Sequence, residues 1–241
     1  MIRLLLYNSG LLASKPIRNP LLSENSIYNI LKKNKFTYKQ VKIKTNPYTL
    51  DEQKIQLSNV KSVIDYLDRN NICSYDEISA VSNKIPRRGW SKIGEECIIE
   101  NKNTLYGKRF TIGLTVDTKK VVNFKIVEGG MKTDNFIDLM KDFQINHNKN
   151  NEKTIFLDNA SVHHSKKFKE FAKETKIHAL YNVPYNSDKN PVEYVFSLLR
   201  KVLERSVFKT IEDLTEIVNN FKKNILNSTL NNIFNHAFNL F

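Results

Sequence analysis

Three acidic residues stand where they can build one catalytic site. Asp158 ends a short apolar run, and Glu193 opens an apolar-periodic stretch after 34 intervening residues. Upstream, the pair Asp76-Glu77 supplies a third carboxylate. Because separate elements of a basic protein carry these acids, the set indicates a two-metal site that cuts or joins a phosphodiester backbone.

Two-metal phosphoryl transfer explains why these residue types are needed. Hard oxygen ligands hold two Mg²⁺ ions about 3.5–4 Å apart, so that one ion activates the attacking water or 3′-hydroxyl and the other stabilises the leaving oxygen. Asp158 is short and suits a bridging ligand, whereas Glu193 is long enough to reach back from a helix to the sheet. Taken singly, each acid has a plainer interpretation: an edge-strand charge for Asp76, a turn residue for Asp158 and a partner of the helix dipole for Glu193.

The elements that carry the acids follow from the hydrophobic pattern. From residue 72 onward the order is strand, strand, strand, helix, strand, helix, strand, helix, which predicts a mixed α/β layer structure. We expect two acids at strand ends and a third on a later helix to meet at one edge of the sheet. The predicted strands cover residues 72–81, 110–116, 121–127, 154–157 and 177–183, and the predicted helices cover 51–68, 134–143, 165–174, 190–205 and parts of 210–241. The first of these helices is predicted to bury one apolar face from Ile55 to Leu67.

The charge balance favours a polyanionic partner. The chain has 241 residues with 38 Lys+Arg against 25 Asp+Glu, a net charge of +13, so nucleic acid is the first candidate. A lysine bias from an AT-rich genome is the alternative. Residues 1–49 carry +8 of that charge, a concentration that genome bias alone does not explain.

The cysteines and the apolar runs indicate the compartment. Cys73 and Cys97 form no CxxC pair and no disulfide framework, which favours a reducing environment. No run approaches the roughly 20 apolar residues of a membrane span. We therefore expect a soluble intracellular protein with no membrane partner, in the nucleus of a eukaryotic host or the cytoplasm of a prokaryotic or viral host.

Two basic segments are candidates for DNA contact. A helix from Ser23 to Asn34 has small polar residues at its start and Lys32 and Lys33 at its end, as a recognition helix or any surface helix can have. The loop between Asn83 and Gly94 is basic, and its contacts to a DNA backbone would position the duplex without reading sequence. A solvated basic loop is the alternative. The loop residues proposed for DNA contact are Lys84, Arg87, Arg88 and Lys92.

The segments around the acids resemble a known family. Residues 158–163, Asp-Asn-Ala-Ser-Val-His, resemble the second-aspartate motif of the Tc/mariner-like transposases and their bacterial insertion-sequence relatives. Residues 184–196 resemble the third-acid motif, and the 34-residue gap is typical of the Asp-Asp-Glu branch. Asp76-Glu77, followed by the Gly-Trp segment at 89–94, is similar to the first-aspartate region. The resemblance covers about residues 50–210.

The resemblance implies a fold, a reaction and a set of site residues. The implied fold is α/β, a ribonuclease-H-like mixed sheet flanked by helices, with a short helical N-terminal segment. The implied reaction is cleavage and joining of double-stranded DNA at element ends and target, with two Mg²⁺ or Mn²⁺ ions. By this resemblance the metal ligands are Asp76, Asp158 and Glu193, and the auxiliary polar residues are Asn159, His163 and Asn190. His163 is expected to orient a phosphate or water, or else to be an ordinary loop histidine.

The chain departs from the family pattern in two places. Asn186-Ser187 and Lys189 replace a more usual Ser-Pro and an apolar residue before Glu193. The N-terminus is too short for the two helix-turn-helix units that family members usually carry, which predicts a truncated copy. The expected domains are a basic N-terminal segment at 1–49 with a partial helix-turn-helix and linker, a catalytic domain at 50–210 and C-terminal helices at 211–241.

Two other functions and the oligomeric state stay open. One alternative is a non-catalytic, transposase-derived DNA-binding protein. Another is a ribonuclease-H-like nuclease that acts on RNA-containing duplexes. A homodimer is one option for the assembly.

Overall fold

The computed structural model describes residues 24–36, 49–82, 91, 93–96, 98, 107–150 and 152–241. The chain divides into two units, Met1–Thr45 and Asn46–Phe241, and each is described by itself. In the first unit, helix α1 covers Glu24–Lys33. Lys32 and Lys33 lie in its last turn and are exposed.

A five-stranded mixed sheet forms the centre of the second unit, with the strand order β3-β2-β1-β4-β5. The strands are β1 at Ile72–Val81, β2 at Arg109–Val116, β3 at Val121–Glu128, β4 at Thr154–Leu157 and β5 at His178–Tyr181. The first three strands pair antiparallel, whereas β1 with β4 and β4 with β5 pair parallel. The central strand β1 therefore joins an antiparallel hairpin to a parallel half.

Helices cover both faces of this sheet. They are α2 at Leu50–Tyr66, α3 at Thr133–His147, α4 at Lys166–Thr175, α5 at Pro191–Glu204, α6 at Ile211–Asn224 and α7 at Asn227–Phe238. Capping boxes begin α2 at Thr49 and Glu52 and α6 at Thr210 and Asp213, which fixes where these helices start. None of the described helices combines the length and the apolar character needed to cross a membrane.

The alternation of side chains along β4 divides the core into two layers. Phe156 belongs to the layer that packs against α5, α6 and α7, whereas Ile155 and Leu157 belong to the layer under α3 and α4. All four residues of β4 are buried. A strand covered on both faces needs a continuous apolar run, which is what the sequence has there.

The apolar face predicted for α2 is only partly correct. Ile64 is buried in the core, but Ile55 is 62% exposed and Val63 is 43% exposed. The periodic pattern in this helix is therefore wider than the surface that the sheet layer covers.

Candidate active site

The register of the sheet brings the first two acids together. Ser74 pairs with Phe156 across the parallel strands β1 and β4, so two residues further on Asp76 comes level with Asp158. Asp158 directly follows β4, but Asp76 lies in the middle of β1 and not at a strand end as expected. It is also not on an edge strand, because β1 is the central strand.

The third acid joins them from the helix above. Glu193 lies in the first turn of α5, the helix that packs on the face of β1 to which Asp76 belongs. The three acids line one pocket with Asn159, Ala160, Asn190 and most of the loop between β5 and α5. Three separate elements thus contribute one carboxylate each to a single cleft.

Asp76 is the most perturbed acid of the pocket. Burial, together with the nearby carboxylates of Asp158, Glu77 and Glu193, raises the pKa of Asp76 from 3.8 to about 8, although the hydrogen bond from the Glu77 N–H acts to lower it. That N–H donates to Oδ1 at 2.7 Å, and Asn190 Nδ2 stands 3.4 Å from Oδ2. A carboxylate crowded by like charges in this way is one that a bound cation would stabilise.

Asp158 is held in the ionised form from behind. Burial favours its neutral form, but His163 and the Ala160 N–H bring the pKa of Asp158 below its ordinary value. His163 Nδ1 lies 2.7 Å from Oδ1 of Asp158, and the Ala160 N–H donates to the same oxygen at 3.0 Å. Two neighbouring carboxylates, Asp76 and Asp158, therefore have pKa values shifted in opposite directions.

His163 has no exposed surface and lies under the α3 layer, against the rings of Tyr75 and Phe136. Burial disfavours its charge, yet the contacts with Asp158 and Glu77 raise the pKa of His163 to about 9. Its Nε2 stands 3.5 Å from Oε1 of Glu77 without forming a hydrogen bond, and Tyr75 donates to that same oxygen at 2.8 Å. The ring has no exposed surface and lies behind Asp158, and its role in orienting a phosphate or water stays a prediction.

Asparagine side chains shape the wall of the pocket. The Asn159 amide donates to the carbonyl of Asn182, and the Asn182 amide donates to the carbonyl of Asn186 at 2.7 Å. Between the last two, Tyr185 has a left-handed backbone with φ 63° and is 56% exposed. Asn190 is buried and bonded on both sides, to Ser74 and towards Asp76.

Comparison with known proteins identifies the family. The sequence profile of the DDE superfamily endonucleases matches residues 71–215, which is more than half of the chain and includes all three acids. The chain belongs to the DDE superfamily endonucleases. No curated protein gives a significant match.

Solved structures of the Mos1 mariner transposase share the fold of this DDE chain. The Mos1 strand transfer complex superposes with a TM-score of 0.72 at 13% identity, over 91% of this chain and 68% of that one. The Mos1 paired-end complex with Mn gives 0.71 at 13%, over 91% and 69%. The Mos1 catalytic domain gives 0.63 at 13%, over 83% and 93%. These likenesses confirm the predicted ribonuclease-H-like fold.

The donor set of the DDE pocket fits a hard divalent cation. Carboxylate and amide oxygens are the ligands that Mg²⁺ and Mn²⁺ prefer, and both line this pocket. Burial raises the pKa of the Glu193 carboxyl, although the positive charge of Arg200 acts to lower it. As the described side chains lie, however, no three His, Cys, Asp or Glu residues stand close enough together to hold one ion. A full ligand shell would therefore need side-chain rearrangement, with further oxygens from water and substrate.

The structure describes two of the six residues predicted to contact DNA. Lys32 and Lys33 are exposed on α1, in the first unit. The remaining candidates for DNA contact, Lys84, Arg87, Arg88 and Lys92, lie outside the described residues. Sequence reasoning did not single out Ser74, Tyr75 or Asn182, and it used Glu77 only as the neighbour of Asp76.

Proposed function

We propose that this DDE endonuclease is a transposase that hydrolyses a phosphodiester at the end of a DNA element and transfers the freed strand to target DNA. One observation carries the proposal: Asp76, Asp158 and Glu193 come from three separate elements and line one pocket. The family match supports the endonuclease chemistry. The Mos1 strand transfer complex, which shares the fold, supports the transposase class.

Two Mg²⁺ or Mn²⁺ ions are the proposed cofactors, with Asp76, Asp158 and Glu193 as ligands. The Mos1 paired-end complex has been solved with Mn and with Mg. Such ions activate a water or 3′-hydroxyl and stabilise the leaving oxygen. The crowding of carboxylates around Asp76 supports a cation in this pocket.

The remaining site residues act on the acids and on the shape of the cleft. His163 donates from Nδ1 to Asp158, so its proton keeps that carboxylate ionised and in one orientation. Behind His163, Glu77 Oε1 lies 3.5 Å from Nε2 and accepts a hydrogen bond from the Tyr75 hydroxyl. Asn159 and Asn190 fix the loop and the helix that bound the pocket.

Double-stranded DNA, at element ends and target, is the proposed partner. The net charge of +13 supports attraction to the phosphate backbone. The proposed backbone contacts are Lys32, Lys33, Lys84, Arg87, Arg88 and Lys92. We also propose an intracellular site of action, in the nucleus or the cytoplasm according to the host, and a homodimer as one form of the assembly.

A nicking assay tests this function. The purified 241-residue chain should nick supercoiled plasmid with Mg²⁺ or Mn²⁺ and not with EDTA, and Asp158→Asn or Glu193→Gln should abolish nicking without unfolding the protein. Glu216→Gln, an exposed acid on α6 outside the pocket, is the matched control and should nick like the wild type. DNA binding by the wild type without nicking under any metal would favour the non-catalytic alternative.

A further inference from the structure

The N-terminus of α5 is capped by a residue from another element. Asn190 occupies the N-cap position, but its side chain makes no capping hydrogen bond to its own helix. Instead, the Val192 N–H donates to Oγ of Ser74 at 3.1 Å. Ser74 lies in β1 and has no exposed surface. The same hydroxyl donates to Oδ1 of Asn190 at 2.5 Å.

The Ser74 hydroxyl satisfies the one donor in the first helical turn that lacks a local acceptor. Pro191 has no N–H, and the Glu193 N–H donates to the carbonyl of Asn190 at 3.1 Å. The Val192 N–H is left over, and Val192 is fully buried. A buried donor without an acceptor is unfavourable, so the contact with Ser74 restricts where this end of α5 can lie.

The contact joins the two elements that carry the first and third acids. Ser74 and Asp76 are two residues apart in β1 and therefore share a face. Val192 directly precedes Glu193 in α5. Asn190 adds a second connection, since its amide is bonded to Ser74 on one side and stands 3.4 Å from Asp76 on the other.

We propose that Ser74 is a positioning residue that sets the separation of the Asp76 and Glu193 carboxylates and so the affinity of the pocket for divalent cations. This inference rests on the proposed function. Ser74 is fully buried and does not line the pocket, so it acts through the backbone of α5 and through Asn190. Loss of a residue that orients metal ligands typically costs 10–100-fold in metal affinity or activity.

The test is a Mn²⁺ titration of the full chain, in which the free Mn²⁺ signal is followed by electron paramagnetic resonance without DNA. Ser74→Ala should weaken Mn²⁺ binding about 10–100-fold and raise the Mg²⁺ concentration for half-maximal plasmid nicking by a similar factor. Ser74→Thr keeps the hydroxyl and should restore most of both values. If Ser74→Ala melts below the assay temperature, Ser74→Cys, with its weaker hydrogen-bonding thiol, should give an intermediate loss.

Asn123→Ala is the matched control for general destabilisation. Asn123 is a buried β3 residue whose amide donates to the carbonyl of Leu139 in α3 at 3.0 Å, so it also ties the sheet to a helix, but under the opposite layer. Its loss should lower the melting temperature and leave Mn²⁺ affinity unchanged.

The outcomes separate the inference from the function on which it rests. Equal Mn²⁺ affinity in Ser74→Ala and wild type, or an equal loss in Ser74→Ala and Asn123→Ala, would overturn the positioning role while the function stands. A wild type that neither binds Mn²⁺ nor nicks DNA would overturn the proposed function itself.

Discussion

The two ends of the central sheet differ in how they surround a carboxylate that is buried or partly buried. At one end Asp117, 3% exposed, accepts hydrogen bonds from the backbone N–H groups of Lys119 and Lys120 at 2.8 Å each and pairs with Lys153 Nζ at 2.9 Å. At the pocket end, where Asp158 follows β4, Asp76 of β1 has two hydrogen-bond contacts among the described residues: the N–H of its own neighbour and a long contact with Asn190. Three donors surround the carboxylate at the first end, whereas like charges collect around the carboxylate at the second.

Under the proposed function, this difference separates an end of the sheet that contributes to stability from an end that binds a cation. Desolvated carboxylates that face each other oppose folding unless a cation or a proton joins them. The environment of Asp117 shows that this fold can surround a buried carboxylate with hydrogen-bond donors. If the proposed function is correct, the like charges around Asp76 are a feature of the cation site that lowers stability when no cation is bound.

Neutralising one acid at each end of the sheet should give the largest difference in nicking activity between the two ends. Asp76→Asn should lower metal-dependent nicking about 1000-fold or more, the scale seen when one member of a catalytic set is removed. Asp117→Asn should leave nicking per folded molecule unchanged. Plasmid nicking at matched concentrations of folded protein measures both. Comparable activity in the two variants would show that the pocket end is not the reactive one.

The same pair should have opposite effects on stability. Asp117→Asn leaves Lys153, whose side chain is 20% exposed, without its partner and should cost about 3 kcal/mol of unfolding free energy. Asp76→Asn removes a crowded charge and should stabilise the metal-free protein at pH 8. Urea unfolding in EDTA gives both values. Destabilisation by Asp76→Asn at that pH would contradict the crowding argument.

The pH dependence sharpens the comparison further. The folded protein holds the Asp76 proton up to a pKa of about 8, whereas an unfolded aspartate releases it near the ordinary value of 3.8. Between these values the unfolded state binds fewer protons, so stability from this group is present below about pH 4 and is lost as pH rises to about 8. The loss should be on the order of a few kcal/mol in EDTA and absent in Asp76→Asn. Urea unfolding of both proteins at pH 5 and pH 8 measures it, and parallel pH profiles would refute it.

The sequence predicts the positions of the helices and strands better than it predicts the contacts between them. The bounds predicted for the strands at 72–81 and 154–157 agree with the structure, because polar residues close both ends of each segment. The convergence of three acids followed from the family motifs. The role of Ser74 left no local signal, since its partners Asn190 and Val192 lie 116 and 118 residues away along the chain.

Burial of single side chains was also beyond the pattern. Periodicity predicts which face of α2 is apolar, but it does not tell how much of that face the sheet covers. The exposure of Ile55 therefore could not be predicted from the pattern. The burial of His163 could not be foreseen either, since a histidine in a polar segment after Asp158 is typical of a loop. Its position depends on Tyr75 and Phe136, which come from other elements.

Two residues with a left-handed backbone, Lys176 and Tyr185, provide the prediction with the smallest expected effect. Lys176, the exposed C-cap residue of α4, has φ 55° and does not line the pocket, whereas Tyr185 has φ 63° and lines its wall. A left-handed backbone costs a side-chain-bearing residue about 1–2 kcal/mol, and glycine removes that cost but loses more conformational entropy on folding. Lys176→Gly should therefore stabilise the protein by about 0.5–1 kcal/mol and leave nicking unchanged.

Tyr185→Gly should relieve the same kind of strain but remove an exposed ring beside the proposed ligands. If strain at the pocket is kept for function, as crowding of charge is, this variant should gain similar stability and nick more slowly than Lys176→Gly. Urea unfolding and plasmid nicking on both variants decide the matter. Equal nicking would mean that the left-handed turn at Tyr185 serves only to connect β5 to α5, and that the contrast between the two ends of the sheet is one of charge alone.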